Sequence, residues 1–294
     1  MRIVVAGASG LIGSALVAEL RAGGHEVLRL VRRAAVAADE RGWDPPAGRI
    51  DDGALDGADA VVNLCGAPIA TRRWSHARRQ VLVNSRVEPT EVLAAAVAEQ
   101  GIPLLVNASA AGYYGDKGDA LVDEAAPRGT GFLADLCQSW ESATQRAADA
   151  GARVVRLRSG HVLARRGGLV GMLKPLFKLG LGGRLGNGRQ YMPWIHVADQ
   201  ATAMRHVIEH DTVSGPVNVC SPNPVTNAEF TAAFGRAVRR PAPWFAPAPL
   251  LKLAVGDADG EALYSQRMVP NVLADNGFDF RHPSLDETLT SLLT

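Results

Sequence analysis

The sequence predicts an α/β protein, a doubly wound parallel sheet with a smaller C-terminal lobe, and three observations carry that prediction. A continuous apolar run at residues 3–6, Ile-Val-Val-Ala, breaks into Gly7, Gly10 and Gly13 ahead of a helical stripe. Strand-like and helix-like stretches then alternate through the first half of the chain. Beyond that half the composition shifts, first to a glycine-rich apolar stretch at 167–188 and then, from Pro222, to proline-punctuated short helices.

An uninterrupted apolar run suits a parallel strand buried on both faces. From Leu11 the period lengthens: Leu11, Ile12, Ala15, Leu16 and Leu20 recur at three and four residues, an amphipathic helix stopped by Gly23 and Gly24. Between the two, Gly7 permits a tight turn, Gly10 lets a pyrophosphate approach the backbone, and Gly13 allows close helix packing. Residues Gly7, Ala8, Ser9, Gly10, Leu11, Ile12 and Gly13 are therefore the expected dinucleotide cradle of a Rossmann-like fold, with free N–H groups meeting phosphate. A second strand at 26–31 ends without the acid that would bond a ribose 2′-hydroxyl. It runs instead into Arg32 and Arg33, whose guanidinium forks suit a 2′-phosphate, so NADP(H) is expected over NAD. A solvated surface pair is the competing reading of those arginines.

Strands at 60–64, 104–108 and 154–158 alternate with helical regions at 75–100 and 133–150, which implies right-handed crossovers and a parallel sheet. Pro89 should divide the first helical region near Glu88, since its ring removes a hydrogen bond and crowds the preceding turn. Residues 1–160 and 192–220 are assigned to the nucleotide domain, and 161–191 with 221–294 to the substrate lobe. Pro224, Pro241, Pro243, Pro247 and Pro249 punctuate short helices in that lobe.

With 294 residues, 47% hydrophobic, and a formal net charge of +1, the chain reads as a soluble cytoplasmic enzyme. It shows no basic block interleaved with aromatics for nucleic acid and no apolar run of the ~20 residues a membrane span needs. The N-terminus reads as a structural strand and not as a secretion signal. Cys65, Cys137 and Cys220 lack paired spacing, which argues against a disulfide framework or a metal site.

Several motifs carry a resemblance. Gly7, Gly10 and Gly13 fit G-x-x-G-x-x-G, and Asn63-Leu64-Cys65-Gly66 resembles the N-x-A-G element that ends a strand and supports the cofactor. Further along come Trp43-Asp44-Pro45, S-A-A-G-Y-Y-G at 109–115, G-L-G-G at 180–183, W-I-H-V at 194–197, and a late series including Gln266, Arg267, Pro270, Gly277, Phe278, Phe280 and Arg281. Over essentially its whole length the chain resembles the extended short-chain dehydrogenase/reductase superfamily, and within it the atypical epimerase-like family that includes human SDR39U1-type proteins. The resemblance implies NADP(H) on the N-terminal sheet and a small-molecule cleft beneath the second lobe. It also implies a possible homodimer through the helices at 75–100 and 133–150.

That superfamily usually works with a Ser, a Tyr and a Lys, the last two at i and i+4 on a helix. By that resemblance the matching helix here places Cys137 where the tyrosine stands and Glu141 where the lysine stands, so both are expected to look toward the cofactor. A glutamate beside it would raise the thiol pKa, so the usual relay is absent or rebuilt. Cys137 also reads as a small buried apolar residue. The literal Tyr113 and Lys117 spacing is a decoy, because Gly115 and Asp116 interrupt it.

Ser109, at the carboxyl end of a predicted strand, is the preferred catalytic residue, with turn closure as its alternative. Tyr113 or Tyr114 at the same strand end is a candidate phenolic donor, or an aromatic packed on the second lobe. His196 is expected to order backbone, and Arg156, Arg158 and Arg189 are candidate anion holders. Two functions follow. One is an NADP(H)-dependent oxidoreductase or epimerase with an unidentified small-molecule substrate. The other is a catalytically silent NADP(H)-binding sensor or scaffold.

Overall fold

The computed structural model describes residues 1–69, 72–247 and 260–293. The chain begins with β1 (Arg2–Ala6), α1 (Leu11–Ala22), β2 (Glu26–Val31), β3 (Glu40–Asp44), β4 (Arg49–Ile50), β5 (Ala60–Asn63), α2 (His76–Gln100) and β6 (Leu104–Ala110). There follow β7 (Leu121–Val122), α3 (Phe132–Ser142), α4 (Gln145–Asp149), β8 (Arg153–Ser159), β9 (His161–Leu163), α5 (Gly168–Lys178) and β10 (Gly183–Leu185). Next come β11 (Tyr191–Met192), β12 (Trp194–His196), α6 (Val197–Glu209), β13 (Gly215–Val219), β14 (Val225–Thr226) and α7 (Asn227–Ala237). Among the remaining described residues lie β15 (Trp244–Ala246), β16 (Arg267–Met268), α8 (Asn271–Asp275) and α9 (Leu285–Leu293).

Eight strands form one sheet in the order β13-β8-β6-β5-β1-β2-β3-β4. Its pairings are parallel except the last, β3 with β4. Succession runs outward from β1 in both directions, so the order reverses between β1 and β5. A crevice opens outside the carboxyl ends of the strands at such a switch point. The continuous apolar run of β1 follows from its position. Ile3 and Val5 pack with Leu16, Leu20, Met204 and Val207 on one face, while Val4 and Ala6 pack with Leu93, Val97 and Leu105 on the other.

Two helical expectations are corrected. α2 runs unbroken through Pro89, with no division at Glu88. Leu82, Arg86, Pro89, Leu93 and Val97 are all buried along the helix, and packing of that face outweighs the missing bond of one proline. The region at 133–150 is instead two helices, α3 and α4, parted at Ala143 and Thr144. There the Thr144 hydroxyl donates to the Glu141 carbonyl at 2.7 Å, a local bond that competes with the helical ladder. β6 also extends to Ala110, so Ser109 lies within the strand and not past its end.

A further core gathers Trp194, which lies in the stretch assigned to the nucleotide domain, together with Leu163, Phe177, Phe230, Phe234 and Leu289, residues assigned to the second lobe. Short ribbons, β9 with β12, β10 with β15 and β11 with β14, hold its loops. Asp199, fully buried on α6, accepts the backbone N–H groups of Arg281 at 3.2 Å and His282 at 2.8 Å. Pro249 lies outside the described residues.

Candidate functional site

At the switch point the backbone is packed too tightly for side chains. Gly7 has φ +79°, and a Cβ there would lie 2.8 Å from the Leu64 carbonyl carbon and oxygen, while one on Gly13 would lie 2.2 Å from the Gly7 oxygen. The turn closes through the Gly10 N–H donating to the Gly7 carbonyl at 3.1 Å. Gly10 caps α1 with no side-chain bond, and Ser9 and Gly10 are exposed. Among the described residues the amides of Leu11, Ile12 and Gly13 have no acceptor. Free first-turn N–H groups at the positive end of a helix form an anion site, and this cradle fits a bridging diphosphate. Opposite it, Asn63 is fully buried and orders the end of β5. Its Oδ1 accepts the Cys65 N–H at 3.1 Å, and its Nδ2 donates to Thr90 Oγ1 and Asn107 Oδ1, each at 2.8 Å.

A cavity of about 780 Å³ opens where β2 ends, lined by Arg32, Arg33, Trp43, Asp44, Arg49 and Asp51 among others. The two arginines expected to act together are separated by their partners. Arg33 spends its fork on Glu40, Nη1 to Oε2 at 2.9 Å and Nη2 to Oε1 at 2.7 Å. That corrects its assignment as a free phosphate ligand, because β3, which the sequence did not suggest, brings Glu40 beside it. Hydrogen bonds from Arg33 and from the Val36 and Ala37 amides hold the Glu40 carboxyl at about 2, well below the usual carboxylate range. Arg32 is exposed, makes no hydrogen bond or ion pair among the described residues, and lies near enough to Cys65 for its charge to act on the thiol. Burial nevertheless pushes Cys65 up to about 12.

Past β5 the register aligns polar side chains across the sheet. Asn63 pairs with Asn107 and Asn107 with Arg156, and one step further Ser109 pairs with Arg158 and Arg158 with Asn218. The second row is bonded through. Ser109 Oγ donates to Glu141 Oε1 at 2.7 Å, and Arg158 donates to the same carboxylate from Nε and Nη2, each at 2.9 Å. Arg158 Nη1 reaches the Tyr114 hydroxyl at 3.0 Å, and that hydroxyl donates to Asn218 Oδ1 at 2.7 Å. Ser109, Glu141 and Arg158 are each 4% exposed, and Tyr114 is fully enclosed. Burial raises the Tyr114 phenol well above its ordinary value, and its proton is committed to Asn218 Oδ1.

Cys137 and Glu141, one turn apart on α3, both bear on Ser109, whose hydroxyl donates to Glu141 and hydrogen-bonds with the Cys137 thiol. Glu141 is turned to Ser109 and Arg158, whereas Cys137 Sγ lies 3.8 Å from the Ala110 carbonyl and 3.7 Å from where a Cβ on Gly112 would stand. Glu141 is thus a buried partner of both Ser109 and Arg158. Burial first, and the Glu141 charge second, push the Cys137 thiol up to about 12. Tyr113 stacks under the Arg158 guanidinium, 3.5 Å from its ring centre, and lines a separate cavity with Arg156. Tyr113 is in a 3-10 turn that ends at Tyr114, so Lys117 does not follow it on a helix. His196 caps α6, its Nδ1 accepting the Ala198 N–H at 3.0 Å, and Arg189 is exposed.

Sequence reasoning missed Arg86. This α2 residue is 7% exposed, donates to the Leu82 and Ala67 carbonyls at 3.0 Å each, and lies over the Trp140 ring. It backs Gly66, whose Cβ would stand 3.1 Å from the guanidinium carbon, and its charge acts on the Cys137 thiol. Burial lowers its pKa to about 10. The available signal was an arginine one turn after Leu82 on the buried stripe of α2. Among the described residues, no group of His, Cys, Asp or Glu side chains is arranged to hold a metal ion.

The NAD dependent epimerase/dehydratase family matches residues 3–220, and a domain of unknown function, DUF1731, matches 246–292. An epimerase family protein of Mycobacterium bovis is 53% identical over 288 residues, spanning 98% of this chain and 96% of its own. The human epimerase family protein SDR39U1 is 34% identical over 304 residues, with both chains covered in full. The crystal structure of human SDR39U1 with NADPH superposes with a TM-score of 0.92 at 34% identity, over 100% of this chain and 99% of that one. Glycine turn, strand order and polar row all lie in the matched span, and the chain belongs to the NAD dependent epimerase/dehydratase family.

Proposed function

We propose that this protein is an NADP(H)-dependent oxidoreductase or epimerase acting on a small molecule, with a proton-handling set that lacks the helical Tyr-x-x-x-Lys pair. The observation that carries the reading is the cradle: three free amides at Leu11, Ile12 and Gly13, facing the β5 turn at the point where strand order reverses. Those amides hold the diphosphate, and Arg32, with Arg49 at the same cavity, holds the 2′-phosphate. The binding of NADPH by human SDR39U1 supports that choice of nucleotide.

When bound, NADP(H) supplies or accepts a hydride. Arg86 keeps a positive charge between Gly66 and Cys137. The proton of Ser109 is committed to Glu141, which leaves the hydroxyl lone pairs to accept a hydrogen bond from a substrate alcohol. A substrate presenting a hydroxyl at the reacting carbon suits that polarity. Three unpaired cysteines suit the reducing cytoplasm.

A silent NADP(H)-binding scaffold is the second reading. It draws on the Cys137 thiol at about 12 and on Tyr113 being turned to Arg158, which leave Ser109 without either predicted acid. Titration of purified protein with NADPH, followed by turnover against a panel of alcohols and carbonyl compounds, separates the two. Absence of NADPH binding removes both readings, and binding without turnover by the wild type, or turnover unchanged in Ser109→Ala, removes the catalytic assignment.

A further inference from the structure

A cavity of about 410 Å³ lies apart from the glycine turn and the β5 turn, and none of their residues lines it. The Glu141–Arg158 pair forms one wall, and Tyr113, Gln138, Ser142, Gln145, Arg156 and Pro216 form much of the rest. Its unusual member is Arg156. The residue sits in the interior of β8, beside Asn107 on β6 and Pro216 on β13, where a parallel strand ordinarily places an apolar side chain. The Arg156 Nε is buried without a partner, and the guanidinium makes no hydrogen bond or ion pair among the described residues. Every other charged group on the cavity wall is engaged. Arg158 is held by Glu141, and Glu124 Oε1 accepts the Asn218 and Val272 amides at 3.0 and 3.1 Å.

Arg156 is half-buried, its buried Nε–H lacks an acceptor, and a carboxylate meets the guanidinium fork in matching geometry. The neighbouring wall supplies further polar atoms. Gln138 donates its amide to the Ser142 hydroxyl at 3.0 Å, which leaves the Ser142 hydroxyl proton without an acceptor among the described residues, and Gln145, which donates to Asp149, also lines the cavity. The carboxylates of Glu124 and Glu141 on the same wall disfavour a second negative charge.

We propose that this cavity is a binding site for a small polar monocarboxylate, held with its carboxylate on Arg156 and the Ser142 hydroxyl. The site is separate from the nucleotide crevice and does not depend on the reading of that crevice. It lies one ion pair from Ser109, through Arg158 and Glu141.

The test uses L-lactate, with inorganic phosphate as the competing anion class, on full-length protein saturated with NADPH so that the glycine turn is filled. Calorimetry and lactate-soaked crystals are the readouts, and the soak is repeated without nucleotide to keep the result independent of NADPH binding. Lactate density on Arg156 is expected, with an affinity that falls at least ~10-fold in Arg156→Gln while NADPH affinity is unchanged. Ser142→Trp, on the exposed rim, should block lactate with Arg156 intact, which covers the case of an unstable Arg156→Gln. Water alone on Arg156, equal lactate binding by both variants, or phosphate binding more tightly than lactate would overturn the proposal.

Discussion

Glu141 and Arg158 are joined by two parallel contacts of 2.9 Å, Nε to Oε1 and Nη2 to Oε2, and both side chains are 5% exposed. Burial alone lowers the Arg158 pKa, but the hydrogen bonds and charge of Glu141 outweigh it and the net movement is upward. Removing one partner strands a charge in the interior. Glu141→Ala is expected to lose ~3–5 kcal/mol in urea unfolding. The double substitution Glu141→Leu with Arg158→Leu should lose clearly less than the sum of the two single changes. Additive losses would show that the pair is not coupled.

The arginines after β2 should respond differently to substitution. Arg32→Ala is expected to weaken NADPH binding ~10–100-fold with NADH binding nearly unchanged, because only the 2′-phosphate contact is removed. Arg33→Ala should leave that preference intact, since its fork is already occupied by Glu40. Calorimetry with both nucleotides checks this, and equal discrimination by Arg32→Ala and wild type would place the phosphate elsewhere.

Gly13→Ala puts a methyl group 2.2 Å from the Gly7 carbonyl oxygen, a backbone atom that cannot move without opening the turn. Overpacking of this kind costs ~1–3 kcal/mol. A melting temperature lowered by several degrees is expected, together with loss of the fluorescence change on NADPH addition. Normal NADPH affinity in this variant would mean that the turn is not the diphosphate site.

His196 makes stability depend on pH in a defined direction. Burial, with the His282 ring 3.9 Å away, lowers its pKa from 6.5 to about 4. Between those values the unfolded chain binds the extra proton and the folded chain does not, so this contribution is complete above pH 6.5 and is lost as pH falls toward 4. The full span is worth at most ~3 kcal/mol. His196→Asn keeps a side-chain acceptor for the Ala198 amide and should flatten the slope of unfolding free energy between pH 7 and 4.5. A slope unchanged in the variant would assign the effect to other groups.

Thiol reactivity offers a simpler check. Cys65 and Cys137 are pushed up to about 12, chiefly by burial, and Cys220 is raised by burial as well. Native protein at pH 8 should therefore resist iodoacetamide at all three, with full labelling after denaturation, as read by mass spectrometry. Rapid native labelling of Cys137 would restore it as a reactive group.

The legible parts of the chain are those whose cause is local. The turn from Gly7 to Gly13, the strand before it and the helix after it are encoded within a few residues of each other, so periodicity and glycine spacing sufficed. Glu40 and Arg86 were not legible, for different reasons. β3 reads Glu-Arg-Gly-Trp-Asp, with no apolar alternation to mark a strand, so nothing announced a carboxylate beside Arg33. Arg86 interrupts the buried stripe of α2 with a charge, and periodicity registers an interruption as surface. The direction of Glu141 depended on Arg158, 17 positions later and reached only through the packing of α3 on the sheet. Helical spacing put Glu141 on one face with Cys137 but did not say what that face would meet.

The grip of Asp199 on the Arg281 and His282 amides makes the late segment a structural member of the nucleotide-binding half. Family matching divides the polypeptide into 3–220 and 246–292, yet this carboxylate belongs to the first stretch and its ligands to the second. A fragment ending before the second stretch would carry an enclosed anion stripped of both donors at the base of α6. Losing the tail would thereby penalise the partner it leaves behind.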